Sequence, residues 1–365
     1  MDPAVIEQKL QALKRLNLSE PVRVMNLCGG FARFWAESDW YQALSDVVRI
    51  MPGPGCPVCI CPEAEIRAAM HLAVREKVIL AAFGDMLSVP ISYGAAGYAT
   101  LDGVRHDGAD VVAVANPQEA VALAEQNPHR EVVFFASGFE TVSAPLAAQF
   151  LSGAPDNFSI LNALRLSWPA VDRMLSTQGE RPFNAIIAPG HVAAIVGSEC
   201  WRFAVTQYGV PVSISGFSDD SFLASLDAVV RQVATSKPKL DIQDHHRIKP
   251  KGNTYALTCL NNVFDVSSVH WRGIGKVPDS GYALHEPWQN RDVRNRFKSL
   301  ATFMPESGDM PHDCLCASIV MGKNAPHDCL RYAQDCQPDS PVGPCMASVD
   351  GACRIMWERQ HPEIV

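Results

Sequence analysis

The chain has 365 residues, of which 47% are hydrophobic and 19% are charged, as is typical of globular proteins. Its formal net charge of -8 argues against a general nucleic-acid-binding protein, which needs a basic surface. No apolar run approaches the roughly 20 residues that a membrane span requires, and residues 1–20 resemble a short amphipathic helix more than a signal peptide. These properties predict a cytoplasmic protein of two or three domains that binds neither membranes nor nucleic acid.

Short apolar segments alternate with amphipathic segments through the first two-thirds of the chain. Predicted strands, in order, are VRVMNL (22–27), VVRIM (47–51), KVILAA (77–82), DVVAVA (110–115), EVVFFA (131–136), NAIIA (184–188) and VPVSI (210–214). Predicted helices between them are PEAEIRAAMHLAVRE (62–76), NPQEAVALAEQ (116–126) and DSFLASLDAVVRQVA (220–234). This alternation predicts an α/β protein with parallel sheets covered on both faces.

Two kinds of loop each occur twice after predicted strands: MPGPGC and APGH, and SGFE and SGFS. The recurrence predicts two similar α/β lobes, residues 21–128 and 129–238, with ligands bound at the carboxyl ends of the strands. Cys56, His191 and Glu140 each close one of these loops and are candidate functional residues. The alternatives are a histidine that caps a helix or is merely buried, and a glutamate that only favours a helix N-terminus.

The chain changes character after residue 236. KPKLDIQDHHRIKPKGN is a polar, proline-containing linker, in which the two histidines suit a solvated surface, and TYALTCLNNVFDVSSVHWRGIG alternates as antiparallel strands do. From residue 304 onward, proline, glycine, aspartate and cysteine dominate. We therefore predict a third, cysteine-rich domain in residues 239–365, joined by the N-terminal helix 1–20.

Half of the twelve cysteines lie in this tail, with the spacing C-L-C-(x12)-C-(x6)-C-(x8)-C-(x7)-C. Disulfides are disfavoured in a reducing cytoplasm, so clustered cysteines indicate a metal or redox site. Four thiolates can hold zinc or an iron–sulfur cluster. The wide, irregular spacing without a CxxC pair favours a cluster wrapped by loops over structural zinc or scattered free thiols, but it does not select four ligands from six.

A second cysteine site lies in GPGCPVCICPEAEIRAA. Cys56 and Cys59 form a C-x-x-C pair at a predicted helix N-terminus, where the helix dipole favours the thiolate. Such a pair can cycle between dithiol and disulfide. The alternative is that Cys56 and Cys59 form half of a zinc site. Cys61 is a third thiol nearby that could compete with either of them. Cys28, in LCGGF directly after the strand VRVM, is a further thiol on a tight loop.

Taken together, these stretches resemble the hydrogenase maturation factor HypD family over residues 22–357. The motifs that carry the resemblance are GPGCPVC, SGFET, PGHV, ISGF, VFDVSSVHWRGIGKVPDSG and PVGPCMASVDGAC. The resemblance implies two Rossmann-like α/β lobes and a third domain that holds a [4Fe-4S] cluster. It also implies a scaffold with redox chemistry, rather than a simple turnover enzyme, on which the Fe(CN)2CO unit of [NiFe]-hydrogenase is assembled with a HypC-like small chaperone and a HypE-like cyanide donor.

The resemblance also implies roles for individual residues. Cys56 and Cys59 would be the redox pair of an electron relay, Cys28 would hold iron, and Glu140 and His191 would occupy functional positions. The family's spacing selects, as cluster ligands, Cys316, Cys329, Cys336 and Cys353. Cys314 and Cys345 then fall where the family does not require cysteine.

The sequence departs from the family at several motif positions. The first family motif ends in histidine, whereas this chain has Phe31, which cannot ligate metal. Val142 replaces a threonine, Cys61 stands where threonine is frequent, and CASI lacks the family's Cys-Gly. The alternative hypotheses are a diverged HypD-like iron–sulfur redox protein that serves another partner or cofactor, and a zinc-binding α/β protein without a redox role.

Overall fold

The structure is a computed structural model that describes residues 3–16, 18–92, 97, 99–177, 179, 181–303 and 309–363. Its strands are, in chain order, β1 (Val22–Asn26), β2 (Val48–Pro52), β3 (Ile79–Phe83), β4 (Val111–Val114), β5 (Val132–Gly138), β6 (Phe158–Leu164), β7 (Ala185–Ala188), β8 (Val212–Ile214), β9 (Leu240–Ile242), β10 (Phe264–Trp271) and β11 (Gly275–Leu284). Among the described residues, no helix is long and apolar enough to cross a membrane.

The α-helices are, in chain order, α1 (Pro3–Lys14), α2 (Gly29–Glu37), α3 (Trp40–Ala43), α4 (Pro57–Ile60), α5 (Glu63–His71), α6 (Leu101–His106), α7 (Pro117–Gln126), α8 (Glu140–Leu151), α9 (Ser167–Ser176), α10 (Gly190–Val196), α11 (Arg202–Thr206), α12 (Asp219–Ala234), α13 (Thr254–Val263), α14 (Val293–Arg296), α15 (Cys316–Val320), α16 (Pro344–Ala347) and α17 (Ala352–Gln360). A π-helical turn, Leu72–Glu76, extends α5. Short 3-10 turns lie at Gly84–Met86, Glu199–Trp201, Glu286–Arg291, Lys298–Thr302 and Pro326–Asp328.

Two parallel sheets form the α/β part of the molecule. The five-stranded sheet has the order β2-β1-β7-β8-β9, and the four-stranded sheet has the order β4-β3-β5-β6. Every residue of β5 is buried, as expected of a strand with helices on both faces of its sheet. The predicted α/β class with parallel sheets is therefore confirmed.

Each predicted strand of this part appears, and two further strands join them. β6 has the same apolar character as its neighbours and completes the four-stranded sheet. β9 lies inside the segment that we expected to be a polar linker, and its three residues are half-buried at a sheet edge. A strand this short and polar has no apolar pattern that sequence reading could detect.

Sheet membership crosses the predicted lobe boundaries. β1 and β2 pair with β7, while β3 and β4 pair with β5. The predicted lobes 21–128 and 129–238 therefore do not correspond to the two sheets, because the chain leaves the first sheet after β2, builds the second and then returns. Periodicity marks where strands are, whereas their partners depend on contacts between residues that are distant in sequence.

The rest of the chain packs against these sheets. α13 occupies the first part of the segment predicted as antiparallel strands, because Asn253 caps it by accepting a hydrogen bond from the Ala256 N–H at 3.1 Å. The following residues do form the antiparallel hairpin β10–β11. The cysteine-rich tail folds into α15, α16 and α17, and its buried cysteines share one apolar core with α4 and α5.

Candidate functional site

Cys28 stands at the carboxyl end of β1 and is the N-cap residue of α2. The Asn26 side chain holds the backbone of Cys28, since its Nδ2 donates to the Cys28 carbonyl at 2.8 Å and its Oδ1 accepts from the Cys28 N–H at 3.3 Å. A β-carbon on Gly29 would overlap the side chain of Asp350. Glycine at this position therefore allows the tail to reach the Cys28 loop.

Opposing influences act on the pKa of the Cys28 thiol. Burial raises its pKa, hydrogen bonds from the backbone N–H groups of Phe31 and Gly30 oppose this, and the charge of Asp350 raises the pKa further. The net shift is upward, so the thiol favours its protonated form. A bound cation would reverse that balance, because a metal-bound thiol is deprotonated.

The C-x-x-C loop lies beside Cys28. Cys56 is the N-cap of α4, with the Cys59 N–H 3.2 Å from its sulfur, and the two cysteines form a disulfide. A β-carbon on Gly55 would overlap the Leu27 carbonyl oxygen. The Gly-Pro-Gly turn thus permits close approach of the two strand-end loops, as their shared position at the carboxyl edge of adjacent parallel strands predicts.

One small cavity joins the Cys28 thiol to this disulfide. It has a volume of about 30 Å³, comparable to the space of one water molecule, and its lining includes Cys28, Cys56, Cys59 and Asp350. Ser348 Oγ lies 3.4 Å from the Cys56 sulfur. The structure therefore brings together the Cys28 thiol and the Cys56–Cys59 disulfide, which the sequence placed on two separate motifs.

The tail thiols form a second group. Hydrogen bonds with Cys316 and Cys353 raise the pKa of the Cys345 thiol, and hydrogen bonds with Cys316 and Cys345 lower the pKa of Cys353 to about 6. The Cys314 thiol is in contact with Cys316. Burial raises the pKa of Cys336, and the nearby charges of Cys316 and Cys314 raise it further. The Cys329 sulfur lies 3.7 Å from the carbonyl oxygen of Asp313, the residue before Cys314.

The donor set of this group fits an iron–sulfur cluster. Thiolates are soft ligands that select iron–sulfur clusters and zinc over hard cations. A β-carbon on Gly343 would lie 2.6 Å from the Cys314 sulfur and 2.7 Å from the Cys316 sulfur, so glycine lets this loop cover the thiols closely. Within the described residues, no three His, Cys, Asp or Glu side chains are placed to hold a single metal ion.

The two thiol groups meet through α16 and α4. The Cys59 sulfur lies 4.0 Å from the carbonyl oxygen of Pro344, and the next residue, Cys345, is fully buried. All of these side chains belong to one continuous core. The backbone of one residue therefore separates the disulfide from the tail thiols.

Glu140 and His191 lie elsewhere. Glu140 begins α8, is fully buried, and accepts hydrogen bonds at Oε1 from the Ser167 N–H (3.1 Å) and hydroxyl (3.2 Å). His191 lies at the surface on α10, where neighbouring atoms partly desolvate the imidazole and lower its pKa, while the charge of Asp350 opposes that shift. Neither residue is among the described residues that line the small cavity.

Comparison with known proteins identifies the family. The family model described as "HypD: Hydrogenase formation hypA family" matches residues 4–360. The chain belongs to the HypD family. It is 36% identical to the hydrogenase maturation factor HypD of Azotobacter vinelandii (94% of this chain, 91% of the relative) and 33% identical to HypD2 of Bradyrhizobium diazoefficiens (93% and 89%). It is 32% identical to HypD of Cupriavidus necator (90% and 87%).

Phe31, which stands where the resemblance implies a histidine, is directed into an aromatic cluster. Its ring stacks on Phe222 of α12, with centroids 5.1 Å apart and planes at 22°, and Phe34 meets Phe222 edge-on at 6.0 Å. Phe222 belongs to the core on one face of the five-stranded sheet, and the half-buried Phe31 and Phe34 pack against that core. In this HypD protein, the side chain of Phe31 therefore packs α2 against α12.

Phe31→His is expected to destabilise the fold and to leave maturation activity no higher than wild type. The change removes the stacked pair, which contributes about 0.5–1.5 kcal/mol, and places a polar ring in the aromatic cluster. Denaturant unfolding should show a loss of about 1 kcal/mol. Phe31→Tyr, which keeps the stacked ring, is the control and should lose less. A gain in hydrogenase maturation by Phe31→His would contradict this interpretation.

Glu140 should make stability depend on pH. Burial raises its pKa from 4.5 to about 7, so between these values the unfolded chain ionises while the folded chain stays protonated. Stability therefore falls as pH rises through this window, by up to about 3 kcal/mol. Glu140→Gln should remove this dependence of stability on pH. Denaturant midpoints measured between pH 4.5 and about 7 should therefore fall for wild type but not for the variant as pH rises. The exposed Glu125→Gln, the control, should track wild type.

Asp350 is the site residue that sequence reasoning did not single out. Its side chain occupies the space where a β-carbon on Gly29 would lie, and it lines the small cavity. Burial raises the pKa of Cys28 and of the half-buried Asp85, and the charge of Asp350 raises both further. Arg33 holds the preceding residue by donating to the Val349 carbonyl at 2.5 Å. The motif VDGAC, which carries part of the family resemblance, contains this aspartate and was the available signal.

Proposed function

We propose that this HypD-family protein is a scaffold on which the Fe(CN)2CO unit of [NiFe]-hydrogenase is assembled in the cytoplasm. The observation that supports this most is the small cavity that joins Cys28 to the Cys56–Cys59 disulfide. A thiol able to hold iron thus stands beside a pair of sulfurs that can exchange electrons.

Cys28 is the residue that would hold the iron substrate. Its protonated thiol would release a proton when iron binds, and the N–H groups of Gly30 and Phe31 would then stabilise the sulfur's negative charge. Because position 31 offers no imidazole, further ligands would come from a HypC-like chaperone docked alongside, with a HypE-like protein as cyanide donor. Asp350 would supply negative charge at the edge of that site, and His191, whose pKa is lowered by desolvation, would offer a neutral imidazole near that charge.

The disulfide is the protein's own redox group. Its reduction takes two electrons and two protons and gives the thiols of Cys56 and Cys59. The tail thiols next to Pro344 would hold a [4Fe-4S] cluster, which supplies electrons singly when bound. We assign as its ligands Cys316, Cys329, Cys336 and Cys353. Because the Cys314 and Cys316 thiols touch, Cys314 is the alternative to Cys316.

Single Cys→Ser variants of the six tail cysteines should identify the ligands. Anaerobically purified wild type is expected to contain about four iron atoms per chain and to be brown, as sulfur-coordinated iron clusters are. Cys329→Ser, Cys336→Ser and Cys353→Ser should lose iron and colour. Cys316→Ser should do so too, whereas Cys314→Ser and Cys345→Ser, the matched controls, should keep the cluster. If Cys314→Ser instead loses the cluster and Cys316→Ser keeps it, the fourth ligand is Cys314 and not Cys316.

The function itself is tested by complementation and infrared spectroscopy. The protein should restore hydrogenase activity to a strain that lacks HypD. It should also co-purify with a HypC-type chaperone and show CO and CN stretching bands. Absence of all three results would contradict the proposal.

A second candidate function rests on Phe31. Where the resemblance implies a histidine, this chain has a phenylalanine that packs against Phe222. A structural role at this position suits a diverged iron–sulfur redox protein that serves another partner or cofactor. Failure of wild type to complement, combined with an intact cluster, would favour this candidate.

A further inference from the structure

Ser348 connects the disulfide to a carboxyl group on the other sheet. The serine is fully buried at the C-cap of α16, and its Oγ lies 3.4 Å from the Cys56 sulfur. Its hydroxyl donates to Asp85 Oδ2 at 3.5 Å, while its Oγ accepts from the Asp350 N–H at 3.3 Å. One hydroxyl therefore contacts a sulfur of the disulfide on one side and a carboxyl oxygen on the other.

Asp85 is placed to exchange protons with solvent. It lies in the 3-10 turn Gly84–Met86, directly after β3 of the four-stranded sheet, and it is half-buried. Burial raises its pKa and the charge of Asp350 raises it further, against hydrogen bonds from Ser348 and from the backbone N–H groups of Asp85 and Met86. More of this carboxyl is therefore protonated near neutral pH than in a free aspartate.

The two sulfurs of the disulfide have different neighbours. The Cys56 sulfur accepts from the Cys59 N–H at 3.2 Å, which favours negative charge on Cys56 when the bond breaks. The Cys59 sulfur lies 4.0 Å from the Pro344 carbonyl oxygen, which can accept a hydrogen bond but has no proton to give. Among the described contacts, Cys56 is therefore the sulfur that a protonated side chain can reach through one hydroxyl.

We propose that Asp85 and Ser348 form a proton relay to Cys56 when the disulfide is reduced. A hydroxyl can pass a proton on because it both donates and accepts hydrogen bonds. This inference rests on the proposed function, because the electrons come one at a time from the iron–sulfur cluster proposed for the tail.

The reduction takes two electrons and two protons. The electrons break the Cys56–Cys59 bond and leave two thiolates. Ser348 gives its hydroxyl proton to the Cys56 thiolate and takes the carboxyl proton of Asp85 in its place, after which Asp85 takes up a proton from solvent. The Cys59 thiolate takes the second proton through the small cavity, which both sulfurs line. Oxidation reverses each of these transfers.

The lengths of the two contacts fit a relay in its resting state. Both are longer than the roughly 2.7 Å of an ordinary O–H···O hydrogen bond between oxygens. Groups that transfer protons are often further apart at rest and approach each other only in the reacting complex. Here, the negative charge that forms on Cys56 would draw the Ser348 hydrogen away from Asp85 and towards the sulfur.

The test measures disulfide reduction in the full chain, purified anaerobically with its cluster. Reduced methyl viologen is the electron donor, because it gives single electrons without protons, so that a dependence of the rate on pH comes from the protein. Rapid quenching in denaturant, alkylation and mass spectrometry count the thiols formed at Cys56 and Cys59. The variants are Asp85→Asn, which removes the carboxyl proton, and Ser348→Ala, which removes the hydroxyl.

Ser213 and Asp241 provide a matched control pair. The fully buried Ser213 of β8 donates to the half-buried Asp241 of β9 at 3.1 Å, so the pair repeats the serine–aspartate contact. Neither residue is among the described residues that line the small cavity. Ser213→Ala and Asp241→Asn should therefore cost comparable packing and hydrogen bonding without affecting the disulfide.

Asp85→Asn and Ser348→Ala are each expected to slow reduction about tenfold or more, whereas both controls should stay within about twofold of wild type. The double variant should be no slower than the slower single variant, because the two residues act as a unit. The ratio of the wild-type rate to the Asp85→Asn rate should be largest at low pH and should approach one as pH rises above the pKa of Asp85. A loss of structure alone would give a ratio that does not change with pH.

Three outcomes would overturn the inference. A wild-type rate in either variant, or a ratio of rates that is independent of pH, would exclude the relay while leaving the redox role of the disulfide intact. Asp85→Asn, at a half-buried position, decides the question if Ser348→Ala does not fold. A wild-type disulfide that the cluster does not reduce would overturn both the inference and the electron relay of the proposed function.

Discussion

Cys28→Ala is expected to abolish iron loading and to lower hydrogenase maturation by more than about 100-fold. Residues that merely support metal ligands cost about 10–100-fold when changed, and under the proposed function Cys28, which lines the cavity beside the disulfide, would supply the ligand sulfur itself. Alanine keeps the backbone that Asn26 holds, so the loop should remain in place. Hydrogenase activity in a complemented strain and the CO and CN bands of the purified complex measure the effect.

Cys200→Ala is the matched control for this variant. Cys200 is also a partly exposed free cysteine, but its sulfur contacts the Gly197 carbonyl at 3.0 Å, and burial raises its pKa. It does not appear among the described residues of the small cavity. The control should therefore mature hydrogenase as wild type does. Full infrared bands in Cys28→Ala would show that iron is held elsewhere.

Local sequence signals located most of the candidate site. Gly-Pro-Gly before Cys56 predicted a tight turn, and the C-x-x-C spacing predicted two thiols at a helix N-terminus, because both depend on residues that are adjacent in the chain. The strand before Cys28 was predicted from an equally local signal, the short apolar run VRVM. Since β1 and β2 are neighbouring parallel strands, their two loops lie together at one sheet edge.

Long-range contacts were beyond the reach of pattern reading. Asp350 reaches the backbone of Gly29 from more than 300 residues away, and nothing near either residue indicates this pairing. The same applies to sheet membership, because an apolar strand such as β3 could pair with β2 or β5 on periodicity alone. Phe31 could be recognised as a departure from the family motif, but its stacking on Phe222 depends on where α12 packs.

Cys59→Ser is expected to stop maturation while leaving the tail thiols and Cys28 in place. The single remaining thiol, Cys56, cannot form this disulfide, so the variant lacks the two-electron disulfide/dithiol couple. Thiol titration under denaturing conditions should show that mild oxidation removes two reactive thiols from wild type at this site and none from the variant. Serine is close in size to cysteine, so the packing of α4 against α16 should persist.

Comparison of Cys56→Ser, Cys59→Ser and the double variant separates a redox pair from two independent thiols. Residues that act as a unit are strongly non-additive, so the double variant should lose no more activity than either single variant. Cys61→Ala is the control, because burial raises the pKa of Cys61 to about 12 and keeps its thiol protonated and unreactive. Additive losses at Cys56 and Cys59, or an equal loss at Cys61, would contradict the relay. An additive result would mean that each sulfur acts by itself, as metal ligands can, whereas equal single and double losses are expected only if the reactive group is the bond between the two sulfurs.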